Sequence, residues 1–368
     1  MAYSFIAVSD VHLGWKLFNL PELAQDLKDV FSKVIDLALE KKVSHFFIVG
    51  DLYDTNKPSP DLIKFVSEQI RRLTANGIVV AGIAGDHDKP VNQSSWINIS
   101  NVVPITEASR TGEFLGLDYN DNSQLNIDAI KELPKKVKAK VEWIFLHGQV
   151  PELFTFTEDK KKLDLKSLDP FNEFPKLKGF VLGDIHKPIE GTFEDPTQTS
   201  KPIWVGYCGS LGVIKTDEIG SKGGVLYYDG TTISRLKFEL DRKFIRIKLG
   251  EPTTPINWIT TYKNFFKDNQ GKKPVFIVEY DKDNEKEFPT IAPLYEIGIV
   301  KVTKVRKTDS ITEEPINIRS ELKTNNRIEA TLKKCAQEQE IYDLTLSLLT
   351  ADDPKQILDA FKKQTLKE

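Results

Sequence analysis

The sequence predicts an α/β protein with parallel strands, and two observations carry that expectation. Short apolar runs alternate with longer segments of helical periodicity through the first ninety or so residues, a pattern that implies right-handed parallel crossovers. Five apolar runs also end in a small cluster holding aspartate, histidine or both, at the carboxyl ends of strands where α/β folds assemble their sites.

The elements follow in order. Residues 5–8 read as a buried strand ending at Ser9-Asp10. Residues 21–41 carry Leu23, Leu27, Val30, Phe31, Val34, Ile35, Leu37 and Leu39 at helical spacing. Residues 45–49 form the next strand, ending at Gly50-Asp51, and a second helix spans residues 59–75 with Pro60 in its first turn. Residues 78–84 give a third strand, ending at Gly85-Asp86. Residues 102–117 suggest short strands, and residues 141–146 and 179–182 are strands leading to His147 and Asp184. Residues 203–207, 224–228 and 232–240 read as antiparallel strands, with a turn at Tyr228-Asp229-Gly230. Beyond residue 241 the register changes. Strands at 243–249, 274–280 and 297–305 with a helix at 256–266 suggest an α+β unit over residues 241–307. A polar linker at 308–322 and a helical hairpin over 323–368 follow, with Asp353 and Pro354 opening the last helix.

The 368 residues suffice for two or three domains. A net charge of -3 gives no global field to recruit nucleic acid, so any such contact must come from local patches. Cys208 and Cys335 fit neither a disulfide framework nor a thiolate zinc site, and a reducing compartment is the default. No apolar run approaches the roughly 20 residues of a membrane span. Residues 1–8 lack a basic segment before their apolar stretch, so no cleaved signal peptide is expected and the expected location is cytoplasmic.

Four of the five histidines sit in clusters: His12 in Asp-Val-His-Leu-Gly, His87 in Gly-Asp-His-Asp, His147 in Leu-His-Gly-Gln and His186 in Gly-Asp-Ile-His. Imidazole and carboxylate together ligate manganese, iron or zinc. Hydrolysis of phosphate esters by two metals needs a bridging carboxylate, terminal ligands and ions about 3.5–4 Å apart. Asp51 suits the bridge because Gly50 permits a tight turn before it. Asp10 and His12, two apart on an extended segment, would point to one side and chelate one ion. His147 and the Asp184/His186 pair add ligands from later strands. Asp86 and His87 are adjacent, so their side chains should diverge, one to metal and one to substrate.

In this order the five motifs resemble the calcineurin-like metallophosphoesterase superfamily. More narrowly they resemble the nuclease subunit of SbcCD and Mre/Rad-type double-strand-break repair complexes, phage versions included. The run Gly50-Asp-Leu-Tyr-Asp-Thr-Asn-Lys-Pro-Ser59 and Gly209-Ser210-Leu211 point to that branch. The resemblance implies a four-layer sandwich of two mixed β-sheets flanked by helices over residues 1–240, then a small cap and a helical tail. It implies a first metal on Asp10, His12, Asp51 and His186, a second on Asp86, His147 and Asp184 with Asp51 bridging, and His87 serving the leaving oxygen. It implies DNA ends as substrate and a homodimer. It also implies an SbcC/Rad-type ABC ATPase partner, with its coiled coil docked on residues 323–368 through Ile357, Leu358 and Phe361.

The family has asparagine where Asp86 stands and histidine where Asp184 stands. Four carboxylates facing two dications bring the site to about zero charge, which weakens attraction for a phosphodiester and slows hydrolysis or moves its optimum to alkaline pH. The added oxygens favour manganese, or magnesium, over zinc.

Lysines at 135, 136, 138 and 140 and at 160, 161, 162 and 166 flank the His147 strand. They read as a solvated face or as DNA-backbone contacts. His45 reads as structural, Cys208 as packed, Asp54 and Asn56 as ordering the loop after Asp51, and Asp88 as holding the His87 loop. A metal-dependent DNA exo/endonuclease is the expected function. A phosphoesterase for small molecules or phosphoproteins, and a weakened DNA-end-binding scaffold, are the alternatives.

Overall fold

The computed structural model describes residues 3–89, 102–151, 153, 161–195, 197, 200–219, 224–249, 272–280 and 294–304. Two sheets form its centre. In the first, β1 (Phe5–Val8), β2 (His45–Val49), β3 (Val79–Ile83) and β4 (Val103–Pro104) run parallel. In the second, β5 (Phe114–Gly116), β6 (Trp143–His147) and β7 (Gly179–Gly183) run parallel. There β8 (Glu190–Phe193) forms an antiparallel edge against β9 (Ile203–Tyr207). The first sheet is completed by β10 (Gly224–Tyr228), antiparallel to β1, and β11 (Ile233–Lys237). The strand orders are β11-β10-β1-β2-β3-β4 and β5-β6-β7-β9-β8.

The central strands are apolar on both faces because both faces are covered. Side chains alternate along a strand: Phe5 and Ala7 of β1 and Phe47 and Val49 of β2 face Trp143 and Phe145 of β6 and Val181 of β7 between the sheets. Ile6, Val8, Phe46 and Ile48 face the opposite way, onto α1 (Pro21–Lys41) and α2 (Pro60–Thr74). Ile144, Leu146, Phe180 and Leu182 face a second outer layer. That layer includes α3 (Gln124–Lys131), through Ile127 and Ile130, and the loop at Leu163 and Leu165. This is the sandwich of mixed sheets that the family resemblance implies.

Helix α1 opens on Pro21 and buries Leu23, Leu27, Val30, Phe31, Val34, Ile35 and Ala38. Helix α2 is capped by Ser59, whose hydroxyl accepts from Leu62 N, and opens on Pro60. The short helices α4 (Lys135–Lys138) and α5 (Pro170–Glu173) are too small to show periodicity. Strand β9 departs from the antiparallel expectation: it lies parallel to β7, with β8, which sequence reading missed, at its far edge. The polar run of β8 gives no alternation that would announce a strand.

A third sheet joins β12 (Phe244–Lys248), β13 (Val275–Tyr280) and β14 (Ile299–Lys304), all parallel, beside α6 (Leu294–Ile297). One face packs Ile245, Ile247, Phe276, Val278 and Leu294 together. On the other face Val275 and Ile277 meet Leu17 and Leu23. Arg242 pairs with Asp26, and Lys272 with Asp26 at 2.7 Å. The expected helix at 256–266, linker at 308–322, hairpin at 323–368, Lys160 and Cys335 lie outside the described residues. Among the described residues no helix is long and apolar enough to cross a membrane.

Candidate metal centre

The loops after β1 and β2 run side by side. Asp10 N donates to Gly50 O (3.2 Å), His12 N to Asp51 O (3.0 Å) and Leu13 N to Leu52 O (2.9 Å). This ladder brings Asp10 and His12 to Asp51. The segment is not extended, contrary to expectation: φ is 52° at Asp10, 47° at His12 and 50° at Asp51. Aspartate and histidine tolerate the left-handed region better than most residues. Gly50 before Asp51 has φ 85° and lies where a Cβ would strike the His147 ring. Asp184 after β7 also has positive φ, 94°. Such backbone strain clusters at functional sites.

All seven expected ligands meet at one end of the sandwich, Asp10, His12, Asp51 and Asp86 from the first sheet and His147, Asp184 and His186 from the second. His12 Nε2 lies 3.1 Å from His186 Nε2 and 3.6 Å from Asp51 Oδ2. His147 Nε2 lies 3.5 Å from Asp51 Oδ2 and 3.2 Å from Asp86 Oδ1. His186 Nε2 is 3.9 Å from Asp10 Oδ1. His87 is exposed at the rim, with Nδ1 donating to Asp54 O at 3.1 Å. Its divergence from Asp86 is partial, since both offer atoms to one group with Asp51.

Each of the three inner imidazoles is oriented by a different partner, which fixes ring position and basicity. His12 Nδ1 faces Asp54 Oδ1 (3.3 Å), His147 Nδ1 faces Val49 O (3.0 Å), and His186 Nδ1 faces Glu218 Oε1 (2.5 Å). Buried Glu218 also accepts from Ile214 N and Lys215 N. Sequence reading missed it, because nothing local marks a glutamate ahead of Ile219. Asp54, expected only to order its loop, reaches His12 through its side chain and donates from its backbone N to Leu13 O (3.1 Å). Asp88 holds the His87 loop as expected, accepting from Gly85 N (2.8 Å) and Tyr53 N (3.2 Å). Ser210 N donates to His186 O, so the Gly209-Ser210 turn supports the backbone at His186.

The charges are strongly interdependent. Burial raises the Asp10 carboxyl above its ordinary value despite His147 and His186. Burial works the same way on Asp51, but His147 and His12 outweigh it and hold that carboxyl below the usual range. Burial opposes the charged form of His147, yet Asp51 and Asp86 raise its pKa well above the ordinary imidazole value. Burial and the neighbouring Asp51 push Asp88 up to about 7.

The lysines divide. Lys135, Lys136, Lys140, Lys162 and Lys166 are exposed. Lys138 is buried, donating to Lys131 O and Glu173 Oε2 at 2.8 Å each, so it is a structural residue. Lys161 turns into the site instead of out to solvent: Nζ donates to Asp86 Oδ2 (2.7 Å) and Asp184 Oδ1 (2.6 Å). Gln149 Nε2 also donates to Asp184 Oδ2 (2.8 Å). Neither contact was foreseen. His45 stacks on Phe47 in the core and Cys208 is buried, both as expected.

The donor set fits divalent cations. Asp10–His12–His186, Asp10–Asp51–His147 and Asp86–His147–Asp184 each place their ligand atoms within 4.8 Å of one another. Mixed imidazole and carboxylate donors suit manganese or iron, and the excess of oxygen favours the harder ions.

Residues 3–188 match the family model described as calcineurin-like phosphoesterase. The chain is 23% identical to the DNA double-strand break repair protein Mre11 of Methanocaldococcus jannaschii over 97% of this chain and 98% of that protein. It is 34% identical to the protein of the same name from Saccharolobus solfataricus, over 58% of this chain and 55% of that one. The likeness to the Sulfurisphaera tokodaii protein of that name is 42%, over 23% of this chain and 21% of that one.

Proposed function

The chain belongs to the calcineurin-like phosphoesterase family, and from that premise we propose that it is a metal-dependent DNA nuclease processing the ends of double-strand breaks. The observation that carries this reading is the convergence of seven aspartates and histidines, from both sheets, at one end of the sandwich. Similarity to three proteins named for DNA double-strand break repair supports DNA as the substrate.

Asp10, His12, Asp51 and His186 hold a first ion in this proposal. Asp86, His147 and Asp184 hold a second, with Asp51 bridging and manganese preferred to magnesium. Such ions, when bound, polarise the phosphoryl oxygens and lower the pKa of a coordinated water. Glu218, Asp54 and the Val49 carbonyl keep the three inner imidazoles in place. His87 engages Asp54 O through Nδ1, which leaves Nε2 as the atom available to protonate the leaving oxygen. The exposed Lys135, Lys136, Lys140, Lys162 and Lys166 lie on segments flanking β6 and can contact the DNA backbone. Residues 1–240 form the nuclease domain and 241–307 a cap. Residues 323–368, beyond the linker at 308–322, dock an SbcC/Rad-type ABC ATPase. The working form is a homodimer in the cytoplasm. Asp86 and Asp184 slow the reaction by reducing the net positive charge that the loaded site presents to the phosphodiester.

The test compares end-labelled duplex DNA with a generic phosphodiester, with and without manganese. Manganese-dependent cleavage of the duplex well above turnover of the small diester supports the proposal. Efficient turnover of the small diester alone, or DNA binding without cleavage with every divalent ion, overturns it. Deleting residues 323–368 should abolish co-purification with the ATPase, and retained binding refutes that docking role.

A further inference from the structure

We propose that Lys161 is a tethered competitor of the second cation, so that the site fills in two unequal steps. The inference rests on the metal-centre reading above. Its ammonium lies between Asp86 and Asp184, at 2.7 and 2.6 Å, where those carboxylates and His147 form a ligand triad. A lysine there donates to the same oxygens that a second ion needs, and its side chain is 19% exposed, with little room to share the position.

The segment carrying Lys161 is fastened to the end of β6. Gln149 N donates to Lys161 O at 2.7 Å, Leu163 N donates to Gln149 O at 2.7 Å, and Gln149 pairs with Lys162 as a parallel bridge. Gln149 also fixes Asp184 through its side chain. The bridged pair of segments at 149 and 161–163 therefore positions the ammonium and, through Gln149, also steadies one of its carboxylate partners on the loop after β7. The arrangement also explains how two aspartates stand at positions that bring negative charge to the pocket: Lys161 neutralises part of it before any ion arrives.

Among the described residues no lysine or arginine is hydrogen-bonded to the carboxylates of the first position, at Asp10, His12, Asp51 and His186. The second ion must break two charge-assisted hydrogen bonds and expel the ammonium, which weakens its binding by an order of magnitude or more. Occupancy of the second position then follows the free concentration of divalent ion, and Lys161 sets the threshold.

Manganese titration of the full chain, followed by calorimetry and by the paramagnetic resonance of free manganese, tests this. The native protein should show one tight and one weak ion. Lys161→Met should tighten the second at least tenfold, whereas Lys161→Arg, which keeps the charge, should leave it weak. In the native protein, amine acetylation mapped by mass spectrometry should find Lys161 protected at low manganese and reactive once the second ion binds. Two ions bound with the same affinities in native and Lys161→Met protein, or acetylation of Lys161 indifferent to manganese, overturns the inference and spares the metal centre. Failure of any ion to bind either protein overturns the metal centre itself.

Discussion

Replacing Gly85 by alanine measures how closely the loop after β3 is packed on the carboxylate proposed to bridge the ions. An added Cβ would lie 2.1 Å from Asp51 Oδ1, 2.6 Å from Asp51 N and 2.7 Å from Asp51 Cγ. An ordinary contact is about 3.5 Å, so the carboxylate oxygen must retreat by roughly 1.4 Å and the backbone nitrogen by roughly 0.9 Å. The φ of Gly85 is not left-handed, which makes the effect steric and not conformational. Forcing an atom into a filled interior costs about 1–3 kcal/mol, and a collision that includes backbone belongs near the upper figure. Gly77→Ala is the control. It has φ +78° with nothing within 4 Å, so only backbone strain of about 1 kcal/mol applies. Thermal melts in a chelator and manganese titrations then separate the two. Gly85→Ala should lower Tm by several degrees and weaken manganese binding about tenfold, as displaced supporting groups do. Gly77→Ala should melt slightly early and bind manganese as the native protein does. Native Tm and native affinity in Gly85→Ala would refute the reasoning.

Further predictions follow from other parts of the site and core. Glu218→Gln, which removes the carboxylate behind His186, should weaken manganese binding roughly 10- to 100-fold in titrations with little change in the far-ultraviolet circular dichroism; unchanged affinity would mean that Glu218 does not support the ligand. Burial lowers the pKa of His45, so its contribution to stability is full above the unfolded value near 6.5 and is lost as pH falls toward the folded value. Denaturant melts of native protein and His45→Gln should diverge below about pH 6.5 by up to about 1.4 kcal/mol per pH unit, and parallel curves would contradict this. Burial pushes the Cys208 thiol up. Iodoacetamide at pH 8 should therefore leave the Cys208 peptide unmodified in the folded protein, and rapid labelling would be the contrary result. Asp86→Asn with Asp184→His, made together with Lys161→Met so that no ammonium faces the second position, should raise manganese-dependent cleavage near neutral pH. An absence of gain would count against the charge argument.

The strands were legible because they are short, apolar on both faces and punctuated by glycine and aspartate, whereas their arrangement as a two-sheet sandwich came from the family resemblance. Residues 5–8, 45–49 and 203–207 match β1, β2 and β9 to the residue. Helix α1 was equally readable from Leu23 to Leu39 and its opening proline. What stayed hidden depends on distance in the chain. Lys161 stood among other lysines and nothing local marked it. Only the pairing of Gln149 with Lys162 turns it inward. Glu218 meets His186 across 32 residues through a turn that no periodicity announces. The left-handed backbone at Asp10 and His12 arises from the ladder with the loop after β2, a tertiary contact that an extended-strand assumption ignores. Strand β8 escaped because Glu190, Gly191 and Thr192 carry no apolar alternation.

The ligands come from both halves of the sandwich, and no linear stretch of chain holds the two halves' contributions together at that end. A cation seated there, as proposed, would add a further fastener between two sheets whose backbone ladders are separate. Shear of one layer against the other would open the coordination shell before it disturbed either layer's own pairing. The seam is already crossed by His147 Nδ1 to Val49 O, by Asp184 N to Asp10 Oδ1 and by Lys161 to Asp86, so a cation that displaced the ammonium would exchange one crossing for another.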